Sequence, residues 1–169
     1  MEVSDAVRTV LAVRSYQDRP IPERVVRKIA EAAHLTASSR NGQPWHFIVV
    51  QDRATIQKLG GMLRSGAYTA GAPLAIAVGV DRDSPYGISD ASRAIQSMAL
   101  VAWEEGVGSN WVGYQNIPEV GKLLGVPDTV ALVAVVPFGY PAQATGKGKK
   151  ARKPFSEVVH GERFGQPFS

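Results

Sequence analysis

Cysteine is absent from the 169-residue sequence, which excludes disulfide bonds, thiolate catalysis and cysteine-ligated metal sites. The three histidines, His34, His46 and His160, do not have the spacing of a metal site with one another. The GxSxG, HExxH and Walker motifs and a GxGxxG motif after a strand are also missing. Such a chain can still be an enzyme if a cofactor carries the reaction.

Long apolar runs are missing too, since none approaches the roughly 20 residues that cross a membrane. The segment MEVSDAVRTV lacks the basic-then-apolar pattern of a secretion signal, so the sequence predicts a cytoplasmic protein. The chain length, with 44% hydrophobic and 20% charged residues, is typical of one soluble domain, here 1–169.

Positive charge is concentrated in one stretch of the chain. The net charge is +4, and five of the nineteen Lys and Arg residues lie in GKGKKARK (146–153). A run of this kind is either a solvated segment or an anion-binding one. Nucleic-acid binding is a possible use, but the run lacks interleaved aromatic residues and the remaining chain has no nucleic-acid motif.

Helical and strand patterns alternate along the chain. Helices are predicted after Ser4 or Asp5, at 21–23, after Asp52, at Ser89 or Asp90 and at Pro118, with ends near Val13, Ala33, Gly60–Gly61, Gly106 and Leu124. The predicted strands are 47–50, 74–80 and 130–139. Because 74–80 is apolar throughout, we expect it to be buried on both faces. The pattern predicts a layered α/β or α+β domain without internal repeats.

The stretch SSRNGQPWHF (38–47) places many hydrogen-bonding groups directly before a predicted strand. One interpretation is structural: Asn41–Gly42 forms a turn and Ser38 caps a neighbouring segment. The alternative is a loop that wraps a polar, planar ligand. Ligand sites of this kind combine an apolar slot with a few well-placed donors.

Several further motifs support the second interpretation because they occur in a fixed order along nearly the whole chain. They are Arg14-x-Tyr16-x-x-x-Pro20-Ile21-Pro22, SSRNGQPW (38–45), FIVV (47–50), Ala72-Pro73, GVGSNWVG (106–113), FGYP (138–141) and KARKP (150–154) with Val158-Val159. This ordered set resembles the FMN-dependent nitroreductase family. Each motif alone is weak, and their common order is what makes the resemblance specific.

The resemblance implies an α+β fold, with a central, mostly antiparallel sheet flanked by helices, in an intertwined homodimer with FMN at its interface. The implied reaction is hydride transfer from NADH or NADPH to FMN, and then to a nitroaromatic, quinone or similar small acceptor, by a ping-pong mechanism. A different chemistry on the same fold, flavin destruction or reductive dehalogenation, is the alternative. No side chain is expected to act as the catalytic group.

The resemblance also implies which residues bind the flavin. Ser38 and Ser39 would bond to the isoalloxazine ring and ribityl chain, and Asn41 would lie near the polar edge of the ring. The Val112–Gly113 turn would direct a backbone N–H at N5, where glycine allows a close approach. The residues implied to bind the phosphate are Arg14, Lys150 and Arg152, which supply the cations that a phosphate requires. Lys147 and Lys149 are predicted to be only solvated.

One segment departs from the family pattern. The family has two basic residues and a serine where this chain has Val10, Leu11 and Ala12. The resemblance therefore implies a weakened phosphate site. Arg14, or alternatively Arg64, is predicted to provide the positive group near N1 and O2 that stabilises reduced flavin.

The last segment, 154–169, is predicted to be an extension that packs on the partner subunit. It is rich in apolar side chains yet follows the last strand that a single-domain core requires. Folding back onto its own subunit is the alternative for this segment.

Overall fold

The computed structural model describes residues 1–113, 117–145 and 150–168. Its helices are α1 (Val3–Thr9), α2 (Glu23–His34), α3 (Arg53–Met62), α4 (Gly87–Glu104), α5 (Ile117–Leu123) and α6 (Phe155–Val158). Its strands are β1 (Trp45–Val50), β2 (Leu74–Asp81), β3 (Gly108–Ser109), β4 (Val112–Gly113) and β5 (Val130–Gly139). Short 3₁₀ helices lie at Ser39–Asn41 and Ala67–Gly71.

The five strands form one sheet in which every pair of these strands is antiparallel. β2 lies between β1 and β5, and both β3 and β4 pair with β5. The pairing of β2 with β5 shifts register between Val78 and Gly79, and such a bulge increases the local twist. The predicted antiparallel sheet with flanking helices is therefore confirmed.

Helices cover both faces of the sheet. On one face, α2 and α4 bury Ile29 and Met98 against Ile76 of β2. On the other, α3 and α5 bury Leu59 and Val120 in a cluster that includes alternate residues of β2. Because successive side chains of a strand point to opposite faces, a strand covered on both sides must be apolar throughout. The prediction that 74–80 is buried on both faces is confirmed.

The first helix is shorter than the sequence predicted. α1 ends at Thr9, whereas the apolar pattern predicted a helix to about Val13. The chain leaves the helix because Ala12 forms a parallel bridge with Ser109, and the N–H of Val13 donates to the Ser109 carbonyl oxygen at 2.9 Å. Tertiary pairing has overridden the local helical pattern here.

The third helix begins as predicted but continues further. Asp52 caps α3, since its carboxylate accepts the backbone N–H of Thr55 at 2.8 Å. The Gly60–Gly61 pair was predicted to end this helix and does not. Gly60 is instead buried, where a Cβ would lie 2.5 Å from the backbone nitrogen of Ala70. Its missing side chain serves close packing, so the stop prediction was wrong.

The longest helix, α4, begins at Gly87, two to three residues before the predicted start. It runs across one face of the sheet and carries residues that contact both of the regions described below. Within the part of the chain that the structure describes, no helix is long and apolar enough to span a bilayer.

Candidate functional site

An open cavity of about 210 Å³ lies beside the middle of α4. Its lining includes Val10, Leu11, Ala12, Gln96, Asn110 and Trp111. The segment 10–12 reaches this cavity because it is bridged to β3 after α1 ends. The three residues that depart from the family pattern therefore form an apolar part of the cavity wall, where no cation or hydroxyl is supplied.

Trp111 and Gly113 lie next to each other beside this cavity. Gly113 belongs to β4, and a Cβ at this position would lie 2.7 Å from Trp111 Nε1 and 3.3 Å from the carbonyl oxygen of Val133. Only glycine fits without a shift of its neighbours. The indole N–H of Trp111 is buried and has no hydrogen-bond partner among the described residues. A buried donor of this kind is costly unless a bound group accepts its hydrogen bond.

Two tyrosines form a polar cluster near the same region. The amide of Asn110 donates to the hydroxyl of Tyr68, and the hydroxyl of Tyr16 donates to the Val13 carbonyl oxygen at 2.7 Å. Burial raises the pKa of Tyr16 well above its ordinary value, and the nearby Tyr68 raises it further. The positive charge of Arg14 partly opposes this shift. Tyr16 is therefore a neutral hydroxyl, and Arg14 lies close enough to act on this cluster.

Lys150 and Arg152 lie near the end of α1. The Lys150 ammonium donates to the carbonyl oxygen of Val7 at 2.7 Å, and an Arg152 nitrogen donates to the Ala151 carbonyl oxygen at 2.8 Å. Burial lowers the pKa of Lys150, and the adjacent Arg152 charge lowers it further. Part of the basic run is thus packed against α1, close in sequence to the cavity segment 10–12. Lys147 and Lys149 lie outside the described residues.

The 38–43 loop has an unusual backbone. Arg40, Asn41 and Gln43 adopt left-handed φ values of 53°, 55° and 48°. Ser38 Oγ accepts the N–H of Gln43 at 3.0 Å, which helps to close the loop. Non-glycine residues adopt this conformation uncommonly, and Asn is one of the residues that tolerate it best. Three such residues in four positions make a loop that its surroundings must hold in place.

Asp90, in the first turn of α4, is the group that holds this loop. It is 1% exposed, and its carboxylate accepts the backbone N–H of Ser39 at 3.1 Å and the Ser39 hydroxyl at 3.0 Å. Arg93 pairs with the same carboxylate. Both donors of Ser39 are therefore used within the protein. A direct hydrogen bond from Ser39 to a flavin would have to replace one of these contacts.

The predicted flavin residues fall into two groups within one chain. Ser39 binds to α4 at Asp90, whereas the cavity contacts α4 at Ile95, Gln96 and Ala99. With about 3.6 residues per turn and a rise of about 1.5 Å, Ala99 lies roughly 14 Å along the axis from Asp90 and on about the opposite side of the helix. The first group contains Ser38, Ser39 and Asn41; the second lies near the cavity and contains Arg14, Val112, Gly113, Lys150 and Arg152.

Sequence reasoning missed three features of this region. The position of Asp90 at a predicted helix start was interpreted as a cap, and its burial under another loop had no local signal. The unpartnered Trp111 donor and the Asn110–Tyr68 contact likewise depend on the tertiary fold. Arg64 is exposed, and its predicted role near a flavin stays a prediction.

The geometry therefore defines an α+β protein with an apolar cavity, an approachable backbone at a glycine and adjacent cations. The family model described as the nitroreductase family matches residues 8–69 and 63–140. A relative from Methanothermobacter thermautotrophicus, provisionally named an NADH dehydrogenase/NAD(P)H nitroreductase, is 34% identical over 154 residues, covering 86% of this chain and 81% of the relative. The chain belongs to the nitroreductase family.

Two solved structures support the same assignment. An FMN-dependent nitroreductase from Clostridium difficile has a TM-score of 0.85 and 27% identity, and the match covers 95% of this chain and 99% of that one. A protein from Desulfovibrio desulfuricans, provisionally named a nitroreductase and solved in complex with FMN, has a TM-score of 0.81 and 29% identity. That match covers 97% of this chain and 98% of the other.

Proposed function

We propose that the chain is an FMN-dependent oxidoreductase that takes hydride from NADH or NADPH and reduces a small aromatic acceptor, such as a nitroaromatic or a quinone. The observation that carries the proposal is the arrangement of Trp111 and Gly113 beside the apolar cavity. The names of the relatives, which include FMN and NAD(P)H, support the same class of reaction.

The residues present fit FMN in their chemistry. The apolar cavity wall suits a flavin ring, and the buried Trp111 N–H offers a donor to one of its polar atoms. Arg14, Lys150 and Arg152 supply cations for the phosphate. Val10, Leu11 and Ala12 supply neither charge nor hydroxyl, so we propose that the phosphate is held by fewer groups than is usual in the family.

FMN, when bound, would supply the hydride-accepting and hydride-donating chemistry at N5. The chain's part is to bind and orient it. Glycine at 113 keeps the backbone open to close approach, and we propose that the N–H of the Val112–Gly113 turn faces N5. No charged side chain lines the cavity, so a proton delivered to the acceptor would come from water.

The two groups of site residues support a composite site. Because the 38–43 loop and the cavity lie on different sides of α4, one chain does not bring Asn41 to Gly113. A homodimer in which the loop of one copy completes the cavity of the other would do so. We propose this arrangement, with Ser38 and Asn41 acting across the interface.

The nucleic-acid alternative has less support in the structure. A nucleic-acid-binding tail keeps its cations free for phosphates along a strand. Here Lys150 instead donates to a backbone carbonyl of α1 and is partly buried. Flavin destruction and reductive dehalogenation use the same kind of site, and analysis of the products formed from FMN and from the acceptor separates them from simple reduction.

Steady-state kinetics test the proposed reaction. If donor and acceptor use one site in turn, double-reciprocal plots at several acceptor concentrations should be parallel. The measurement is NADH or NADPH oxidation with a nitroaromatic and, separately, with a quinone. Intersecting lines that persist after correction for substrate inhibition would mean that both substrates bind together, which contradicts a single shared site.

A further inference from the structure

Asp90 is the most deeply buried charged side chain of the described residues, and the proposed reaction does not use it directly. A carboxylate in this position is costly unless its oxygens are satisfied. Here the partners are the backbone N–H of Ser39, the Ser39 hydroxyl and the guanidinium of Arg93. Two of these three donors come from the 38–43 loop, 51 residues earlier in the sequence.

The direction of the Asp90 pKa agrees with this geometry. Burial raises the pKa of Asp90, but the hydrogen bonds from Ser39 and the pairing with Arg93 outweigh burial and leave the pKa below its ordinary value. The group is thus an ionised carboxylate at neutral pH, and the contacts to Ser39 are charge-assisted hydrogen bonds, which are stronger than neutral ones.

The contact lies at the beginning of the strained part of the loop. Ser39 directly precedes Arg40 and Asn41, which both have left-handed backbones, and Gln43 follows with a third. Arg93 also donates to the Ser39 hydroxyl, at 3.3 Å, so the serine is held from two sides. At the other end, the Pro44 carbonyl oxygen accepts the N–H of Asp81 at 2.8 Å. The loop is therefore fixed at both ends, while Asn41 itself is exposed.

We propose that Asp90 is a positioning residue of the flavin site: by binding Ser39 it holds the 38–43 loop in the backbone conformation that presents Ser38 and Asn41 to the flavin. This inference rests on the proposed function. It assigns Ser39 a different part from its neighbours, because Ser39 anchors the loop while Ser38 and Asn41 face the ligand. Asp90 acts through the loop and need not touch the flavin.

The experiment compares Asp90→Asn with a matched control, Asp52→Asn. Asp52 also accepts a backbone N–H and a hydroxyl, both from Thr55, but it caps α3, which carries none of the proposed site residues. FMN affinity is measured by quenching of flavin fluorescence, and the visible circular dichroism of bound FMN reports its surroundings. Thermal unfolding of each variant without FMN measures any general loss of stability.

We expect Asp90→Asn to weaken FMN binding by roughly tenfold or more, as for the loss of a charge-assisted hydrogen bond. The circular dichroism of the bound flavin should change as well. Asp52→Asn should lower the unfolding temperature but leave both flavin measurements unchanged. Ser39→Ala should weaken FMN binding less than Asp90→Asn. The double variant should be no weaker than Asp90→Asn, because both changes remove the same contact.

The outcomes separate the two proposals. If the unaltered protein does not bind FMN, the proposed function fails and the role of Asp90 fails with it. If the unaltered protein binds FMN, and Asp90→Asn binds it with unchanged affinity and spectrum, only the role of Asp90 is overturned. Should Asp90→Asn fail to fold, Ser39→Ala decides: normal FMN affinity and spectrum in that variant overturn the inference, and weakened binding supports it.

Discussion

Truncation of the chain after Lys153 is expected to convert a dimer with bound FMN into a monomer without it. Four apolar residues of the removed segment, Phe155, Val158, Phe164 and Phe168, are 65%, 57%, 93% and 62% exposed in the single chain. Burying each completely would contribute about 1.5–3 kcal/mol, so a surface that covers them gains considerable stability. A second copy of the chain is the cover that we propose.

The alternative considered for this segment was that it folds back onto its own subunit. The described residues do not show such packing, since the rings of Phe155 and Phe168 contact each other, with centroids 6.2 Å apart, yet both stay exposed. His160 and Phe164 form a similar local pair at 4.5 Å. These contacts order the segment without covering it, which supports an exchange between subunits.

Sedimentation and flavin absorbance measure the effect of the truncation. The truncated chain keeps Lys150 and Arg152, so a loss of FMN would reflect the missing interface and not missing cations. Val49→Ser, which changes an apolar residue that is 41% exposed on β1, is the control and should stay dimeric with FMN bound. A truncated protein that remains a dimer with bound FMN would contradict the exchange.

Arg152→Ala and Lys150→Ala are each expected to weaken FMN binding by about 1–3 kcal/mol, or roughly 5- to 150-fold. The reason is the loss of a charge-assisted contact to the phosphate. Lys150→Ala should also lower the unfolding temperature without FMN, because the Lys150 ammonium bonds to the Val7 carbonyl. Arg152 has no such contact to another element among the described residues, so Arg152→Ala should affect FMN affinity with little effect on stability.

Lys147→Ala is the matched control for net charge. Lys147 belongs to the same basic run but lies outside the described residues, and the sequence predicts that it is only solvated. FMN affinities of the three variants are compared at low and high salt. Equal losses from all three that disappear at high salt would indicate diffuse electrostatics and would rule out a specific phosphate site.

Much of the fold could be predicted from the sequence because its signals are local. The continuous apolar run 74–80 predicted a strand buried on both faces, and Asp52 before an apolar pattern predicted a helix cap. β3 and β4 were missed because strands of two residues have no periodicity to detect. The early end of α1 was missed because the bridge from Ala12 to Ser109 is a tertiary contact.

The candidate site was only partly accessible to sequence reasoning. The order of the motifs identified which residues belong to it, but not that the 38–43 loop and Gly113 lie apart within one chain. The use of Ser39 by Asp90 also had no sequence signal, because a serine in a polar loop has the same local pattern whether it binds a ligand or a carboxylate. Burial and pairing between distant segments decide such roles.

The segment 10–12 makes FMN binding the decisive point. Its three apolar residues line the cavity where the family pattern has two basic residues and a serine, so the remaining cations must hold the phosphate. The most direct test is gel filtration of the purified protein after addition of FMN, followed by its absorbance spectrum. We predict that an equimolar amount of flavin stays with the protein. Protein that retains no flavin but binds a DNA oligomer at moderate salt would contradict the flavoenzyme and favour the nucleic-acid alternative.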